Sequence, residues 1–207
     1  MSVEDLAQIY LISPPELDVR AYPDLLARTL DAADVACFRL ALSSTDEDHI
    51  AQAADVVRDV CHARDIAVVI DRHALLVEKL GLDGVHLLDT NQGLRKLRTD
   101  MGEDVILGQY CGTSRHDGMS AGEAGADYVS FGPVAASSLG DGQVAEADLF
   151  AWWTEMIEVP VVAEGGLDDA LIRQLADKVD FFAFGQEVWT TEAPAETLNR
   201  LTLARQG

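Results

Sequence analysis

The length, composition and charge of the chain limit what it can be. Its 207 residues suit one domain, 48% of them are apolar, and no run of about eighteen apolar residues occurs, so we expect no membrane span. The net charge of −21, from 15 Lys and Arg against 36 Asp and Glu, repels a polyphosphate backbone and excludes nucleic acid as an expected partner.

The first residues favour the cytoplasm, and the cysteines disfavour a disulfide framework. Residues 1–5 are acidic and lack the basic start of a secretory signal, so we expect a cytoplasmic location. The three cysteines are an odd number without metal-binding spacing, which predicts neither a disulfide framework nor a zinc site. Cys37 and Cys61 resemble small buried apolar residues. The sequence leaves the oligomeric state open, and a homo-oligomer is one state it allows.

Short apolar segments alternate with amphipathic segments along the whole chain. The apolar segments predict eight β-strands, and segment 66–70 is apolar on both faces, as a strand buried in a parallel sheet must be. The predicted strands are 8–13, 36–42, 66–70, 84–87, 105–110, 127–131, 159–163 and 181–184.

Helices are predicted between these strands, and several carry signals at their ends. Pro23 suits a first turn, Ser44 and Glu47 form a capping box, and Gly81 can end a helix with positive φ. The predicted helical segments are 21–33, 47–60, 73–80, 94–101, a short and weak 120–124, 148–157, 167–175 and the segment that Pro194 opens.

The order of these elements predicts the fold class. Eight strand–helix pairs without a linker predict a parallel sheet that closes into a (β/α)8 TIM barrel of the α/β class, a single domain over residues 1–207. The alternative is an open, doubly wound sheet. No Gly-x-Gly-x-x-Gly follows the first strand, which disfavours dinucleotide binding.

Glycine turns follow the last two predicted strands. Gly165 and Gly166 stand between strand seven and a helix, and Phe184 and Gly185 repeat the arrangement after strand eight. Active sites of β/α barrels lie at the carboxyl ends of the strands, where loops seven and eight often bind phosphate through backbone N–H groups. These four residues predict a phosphate site. The alternative is that the glycines only make tight turns.

Acidic and basic side chains follow strands two to four. Asp71, at the end of strand three, could hold Mg²⁺, which prefers oxygen ligands. It could equally form an ion pair with Arg39, at the end of strand two, or with the adjacent Arg72. Asp89 or Asn91, after strand four, could supply a further oxygen ligand or cap the next helix.

Further candidates lie at other strand ends. Glu164 is either a general base beside the phosphate or the partner of an arginine. His86 lies in an apolar run, which is typical of a core histidine, and an acid–base role is the alternative. Cys111 could react, although nothing near it in the sequence lowers its pKa. Ser137 lies in the Gly/Ser-rich loop after strand six.

Several motifs occur in a fixed order along the chain: Asp71-Arg72, Asp83-Gly84-Val85-His86-Leu87, Gly125-Ala126-Asp127-Tyr128-Val129, Gly132-Pro133, Pro160-Val161-Val162-Ala163 and Gly165-Gly166. With these motifs the sequence resembles the thiamine phosphate synthase family, which includes the related thiazole tautomerases. The resemblance extends from about Gln8 to Trp189, nearly the whole chain.

The resemblance implies a transferase of thiamine biosynthesis. Family synthases join a hydroxymethylpyrimidine pyrophosphate to a thiazole phosphate, and the departing pyrophosphate leaves a carbocation that the thiazole nitrogen attacks. Matched by position, Arg39 would contact the pyrophosphate, Asp71 would bind Mg²⁺ with Asn91 at the second metal position, and Cys111 would be a catalytic residue. The substrate-binding positions would be Arg72, His86, Ser137 and Glu164.

The chain also departs from the family pattern, which predicts a divergent active site. Ala41 replaces a lysine, Ile70 an asparagine, Asn91 an aspartate and Cys111 a serine, and the loop 137–140 lacks the family's lysine. Two cations and one metal ligand are therefore absent from the pyrophosphate site, and one such donor is typically worth on the order of 10²–10³ in rate.

These departures keep two alternatives open. A thiazole phosphate tautomerase needs a proton shuttle but no pyrophosphate clamp; the family's histidine falls near Thr113, and the nearest histidine here is His116. A non-catalytic barrel would bind a phosphorylated ligand without turnover.

Overall fold

The computed structural model describes residues 6–90, 93–137, 139–140 and 142–206. Eight parallel strands pair in chain order and the first also pairs with the last, so the sheet closes. The predicted (β/α)8 TIM barrel is confirmed, and the open-sheet alternative is wrong. The strands are β1 (Gln8–Ile12), β2 (Val35–Leu40), β3 (Ala67–Asp71), β4 (Gly84–Leu87), β5 (Ile106–Tyr110), β6 (Tyr128–Phe131), β7 (Val161–Glu164) and β8 (Phe181–Phe184).

Helices follow the strands and pack their apolar faces on the outside of the barrel. Pro23, Gly81 and Pro194 stand at helix ends as predicted. Within the described residues, no helix has the length and apolar character needed to cross a membrane. The helices are α1 (Tyr22–Leu30), α2 (Glu47–His62), α3 (Val77–Leu80, after a 3₁₀ turn at Ala74–Leu76), α4 (Leu94–Met101), α5 (Arg115–Ala124), α6 (Ala147–Met156), α7 (Asp169–Leu175), α8 (Gln186–Trp189) and α9 (Pro194–Ala204).

The start of α2 differs from the sequence prediction. The capping box of Ser44 and Glu47 is wrong, because Asp46 is the capping residue and its carboxylate accepts a hydrogen bond from the Asp48 N–H at 3.0 Å. The Ser44 hydroxyl instead accepts from the N–H of Asp46 at 3.1 Å. Serine and aspartate both satisfy free N–H groups at a helix start, and here they act in succession.

Helix α5 is longer than the sequence predicted. It begins at Arg115 rather than at residue 120, and the Ser114 hydroxyl accepts a hydrogen bond from the Asp117 N–H. Glycine has a low helix propensity, which is why the sequence of this segment predicts only a short, weak helix. However, a Cβ at Gly118 would lie only 2.6 Å from the ring of Trp153. Gly118 therefore allows α5 to pack closely on α6.

Three aspartates stabilise the strand register at the amino ends of alternate strands. Each precedes an even-numbered strand and accepts a hydrogen bond from a backbone N–H of the strand before it. These bonds join Asp83 to Val68, Asp127 to Leu107 and Asp180 to Val161, at 2.6, 2.7 and 2.8 Å. The motifs around Asp83 and Asp127 thus serve the fold, at the end of the barrel opposite to its carboxyl-end mouth.

Replacing Asp127 with alanine should destabilise the barrel without touching the mouth. The change leaves the Leu107 N–H unpaired and removes the 2.5 Å ion pair with Arg98, so we expect a loss of about 1–3 kcal/mol. The urea midpoint of unfolding measures this loss. Asp104→Ala, at an exposed loop position before β5, is the control. An unchanged midpoint for Asp127→Ala would contradict the stabilising role.

Candidate active site

Arg39 joins two carboxylates at the mouth of the barrel. Arg39 on β2, Asp71 at the end of β3 and Glu164 at the end of β7 are all buried. Arg39 Nη2 donates to Glu164 Oε2 at 2.8 Å, and Arg39 Nε lies 3.3 Å from Asp71 Oδ1. Burial opposes the charge of Arg39, but the two carboxylates outweigh it and raise its pKa. Both carboxylates are therefore paired with one permanently charged guanidinium.

Ser130 completes the environment of Glu164. Its hydroxyl on β6 donates to Glu164 Oε1 at 2.6 Å, so each carboxylate oxygen of Glu164 has a partner. Sequence reasoning missed Ser130 because it lies inside the apolar segment Tyr128–Phe131 rather than at a strand end. A serine in a buried strand was the available signal, since buried polar groups need partners. Glu164 is thus fixed in orientation.

Asp71 keeps an oxygen free of hydrogen bonds. Its Oδ1 is buried and has no hydrogen-bond partner among the described residues, despite the nearby Arg39. Burial raises the pKa of Asp71 to about 6, against the lowering effect of Arg39. The described part of the chain contains no group of three or more His, Cys, Asp or Glu side chains that could hold a metal. Asn91, the other predicted metal ligand, lies outside the described residues.

The two glycine turns direct backbone N–H groups at one point. Gly166 N–H donates to Glu187 Oε1 at 2.7 Å, Leu167 N–H to the same oxygen at 3.2 Å, and Gly185 N–H to Glu187 Oε2 at 2.9 Å. We call these three N–H groups the amide cradle. Gly165 and Gly166 have φ of 84° and 81°, a region that favours glycine. The predicted turns therefore bring three N–H groups together, and the carboxylate of the chain's own Glu187 accepts hydrogen bonds from all three.

A cavity of about 240 Å³ connects the two parts of the site. Arg39 and Glu164 line it together with Gly166, Gly185 and Glu187. Ser137, predicted as a substrate-binding residue, also lines this cavity, as do Ile12 and Leu139. The buried charges and the amide cradle therefore face one space at the carboxyl ends of the strands, where enzymes of this fold have their active sites.

Cys111 lies apart from Arg39. It is buried, and its Sγ donates to the Gln109 carbonyl at 3.5 Å. Burial raises the pKa of the thiol, so it stays protonated and is not activated as a nucleophile. It lines a second cavity of about 640 Å³, together with Asp89 and Thr113. Cys111 therefore lines a different cavity from Arg39 and Glu164.

The other predicted residues take different positions. Arg72 is exposed, in a left-handed conformation with φ of 64°, and its N–H donates to the His86 carbonyl. The Ser137 hydroxyl accepts from the Leu139 N–H at 3.1 Å. Phe184 is fully buried, so only its backbone is near the cradle. The sequence placed Arg72 and Phe184 at strand ends and Ser137 in the loop after strand six, but the three side chains have different surroundings.

His86 belongs to a polar chain in the barrel interior. It is fully buried, its Nδ1 lies 2.8 Å from the Tyr128 hydroxyl, and that hydroxyl lies 2.7 Å from the Tyr10 hydroxyl. Gly108 makes room, because a Cβ there would lie 2.0 Å from the Tyr128 ring. Burial, with the Arg39 charge, lowers the pKa of His86 well below 6.5, so it is neutral. The interpretation of His86 as a core histidine agrees with this position.

The neutral His86 predicts a pH-dependent stability. Its pKa is lower in the folded protein than in the unfolded chain, so only the unfolded state gains a proton as the pH falls below 6.5. The wild type should therefore lose free energy of unfolding relative to His86→Gln, by about 1.4 kcal/mol for each pH unit below 6.5. Urea unfolding at pH 8 and pH 5.5 measures it. If the free energies of unfolding of the wild type and His86→Gln changed equally between the two pH values, this prediction would be contradicted. The control is His116→Gln, which changes an exposed histidine.

Fold and site together define a class of protein. It is a TIM-barrel protein with an ion-paired arginine and an amide cradle occupied by Glu187 around one cavity at the carboxyl ends of the strands. Within this class, the chain belongs to the thiamine monophosphate synthase family, whose model matches residues 9–188.

Two relatives match over most of their length. The thiamine-phosphate synthase of Rhodospirillum centenum is 38% identical over 188 residues, which are 90% of this chain and 91% of the relative. The thiamine-phosphate synthase of Erythrobacter litoralis is 36% identical over 195 residues, 91% of each chain. The resemblance noted from the motifs is therefore confirmed along nearly the whole chain.

Solved structures agree on the fold. The thiamine phosphate pyrophosphorylase of Pyrococcus furiosus superposes with a TM-score of 0.82 at 20% identity, over 96% of this chain and 95% of its own. A 3-hexulose-6-phosphate synthase superposes with a TM-score of 0.66 at 18% identity. At these identities the likeness concerns the barrel architecture alone.

Proposed function

We propose that this protein is a transferase of thiamine biosynthesis that couples hydroxymethylpyrimidine pyrophosphate to thiazole phosphate and releases pyrophosphate. The observation that carries the proposal is the relationship to proteins named thiamine-phosphate synthase, at 38% and 36% identity over 90% and 91% of this chain. The cavity agrees with two charged substrates, because a buried cation and the amide cradle both line it.

Arg39 would neutralise the leaving group. As the carbon–oxygen bond to the pyrophosphate breaks, negative charge builds on the departing oxygen, and a fixed cation lowers the energy of that state. Arg39 is prepared for this role because Glu164 holds its guanidinium at 2.8 Å and Ser130 in turn holds Glu164 at 2.6 Å. The family lysine is replaced by Ala41, so we assign a larger share of the charge neutralisation to Arg39.

The amide cradle would hold the thiazole phosphate. Backbone N–H groups carry no charge, so they bind a phosphate without requiring a basic surface on this acidic chain. The thiazole nitrogen would then face the pyrimidine carbon across the cavity. This arrangement would position the two reactants for a direct attack on the carbocation.

We propose Mg²⁺ as the cofactor, with the carboxylate of Asp71 as the described group that could hold it. Asp71 Oδ1 lies 3.3 Å from Arg39 Nε without a hydrogen bond among the described residues, and Mg²⁺ commonly uses one or two carboxylates together with water and substrate phosphate oxygens. Asp71 would hold the ion, and Asn91 is the second candidate. When bound, Mg²⁺ adds positive charge beside the leaving pyrophosphate.

A coupled assay tests the proposal. Purified protein is incubated with both precursors and Mg²⁺, and pyrophosphate and thiamine phosphate are measured together. We expect equal amounts of both products, only when both precursors are present. Isomerisation of a thiazole phosphate without metal would support a tautomerase instead, and binding of thiazole phosphate without any product would support a non-catalytic barrel.

A further inference from the structure

Glu187 fills the amide cradle with a negative charge from the chain itself. Its two carboxylate oxygens accept all three cradle N–H groups, at 2.7, 3.2 and 2.9 Å. The carboxylate thereby bridges the turn after β7 to the turn after β8. A phosphoryl group bound to the same N–H groups would have to occupy the same space.

A carboxylate and a phosphate cannot share this cradle. The donors are three neutral N–H groups, and both anions would compete for them while repelling each other. Arg39, the cation that lines the same cavity, is already paired with Asp71 and Glu164. The Glu187 side chain must therefore leave the cradle before a phosphate enters.

The backbone around Glu187 is well placed to stay while the side chain moves. Val188 is fully buried, and the Trp189 indole N–H donates to the Ile12 carbonyl at 2.6 Å, so α8 is anchored to the end of β1. Glu187 itself is only half-buried. Rotation about its side-chain bonds would bring the carboxylate towards solvent and leave the three N–H groups in position.

We propose that Glu187 is an internal competitor of the thiazole phosphate. Its carboxylate occupies the amide cradle, and the phosphate of the substrate displaces it. This inference rests on the proposed function, and it makes Glu187 a specificity-determining residue. A doubly charged phosphate competes well for the cradle, whereas the corresponding uncharged alcohol does not displace the carboxylate.

Calorimetric titration with inorganic phosphate tests the competition without requiring catalysis. Wild type, Glu187→Gln and Glu187→Ala are compared, and Glu192→Gln, which removes a nearby exposed charge, is the control. We expect both Glu187 variants to bind phosphate at least tenfold more tightly than the wild type, and Glu192→Gln to match the wild type. Equal binding, weaker binding or no binding in both Glu187 variants would overturn the proposal.

A second readout separates this inference from the proposed function. The coupled assay should give a lower KM for thiazole phosphate in Glu187→Gln than in the wild type. If coupling is absent in every variant but phosphate binding still tightens, the proposed function fails and the competition stands. If coupling occurs and phosphate binding does not tighten, the competition fails and the function stands.

Discussion

Replacing Arg39 with alanine is expected to slow the formation of thiamine phosphate by on the order of 10²–10³-fold, at saturating concentrations of both precursors. Arg39 is the cation that lines the cavity beside the proposed leaving group, and it is held by Glu164 and Asp71. The expected loss is in kcat, because the charge that Arg39 neutralises grows as the pyrophosphate leaves. Steady-state kinetics with quantified pyrophosphate measures it.

The alanine variant also leaves two buried carboxylates without their cation. Breaking such a buried pair commonly costs about 3–5 kcal/mol, so the variant is expected to be less stable. Arg39→Lys keeps the charge but cannot contact Asp71 and Glu164 together, and it should fold with a smaller loss of kcat. Arg28→Ala, an exposed arginine on α1, is the control. A folded Arg39→Ala with wild-type kcat would contradict the assignment.

Replacing Gly166 with leucine is expected to abolish phosphate binding. Losing the N–H contacts should weaken the affinity for inorganic phosphate by about two orders of magnitude or more. Gly166 has φ of 81°, and a Cβ there would lie 3.0 Å from the Cβ of Ala135 and 3.1 Å from its carbonyl oxygen. The backbone must shift, so the Gly166 and Leu167 N–H groups no longer converge. Calorimetric titration with phosphate measures the loss.

Gly102 offers a matched control for this change. Its φ is 83°, close to that of Gly166, but a Cβ there would have no neighbour within 4 Å. Gly102→Leu should therefore carry a similar conformational cost, on the order of 1–3 kcal/mol, and bind phosphate like the wild type. If Gly166→Leu kept the wild-type affinity, the amide cradle would not be the phosphate site.

The fold could be predicted from the sequence because its signals are local. Each strand is a short apolar segment, and the order of strands and helices restricts the topology to a parallel sheet. The errors lie where local signals compete. Ser44 and Asp46 both suit a helix start, and Gly118 weakens the pattern of α5 although close packing against Trp153 requires it.

The site could be predicted only in part. The ends of strands can be located from neighbouring residues in the sequence, but contacts between side chains from distant segments cannot. The rule that active sites lie at the carboxyl ends of barrel strands correctly placed Arg39, Asp71 and Glu164 around one mouth. It could not reveal Ser130, which lies within a strand. Nor could it reveal Glu187, whose carboxylate reaches Gly166, 21 residues away in the chain.

The most direct test of the account is a single turnover with the protein in excess over the pyrimidine pyrophosphate. In this format even a slow enzyme converts its bound substrate. A reaction rate lowered by the loss of two family cations would therefore still give measurable product. With saturating thiazole phosphate and Mg²⁺, we predict one thiamine phosphate and one pyrophosphate for each pyrimidine pyrophosphate consumed. Recovery of the pyrimidine pyrophosphate intact, with both precursors shown to be bound, would contradict it.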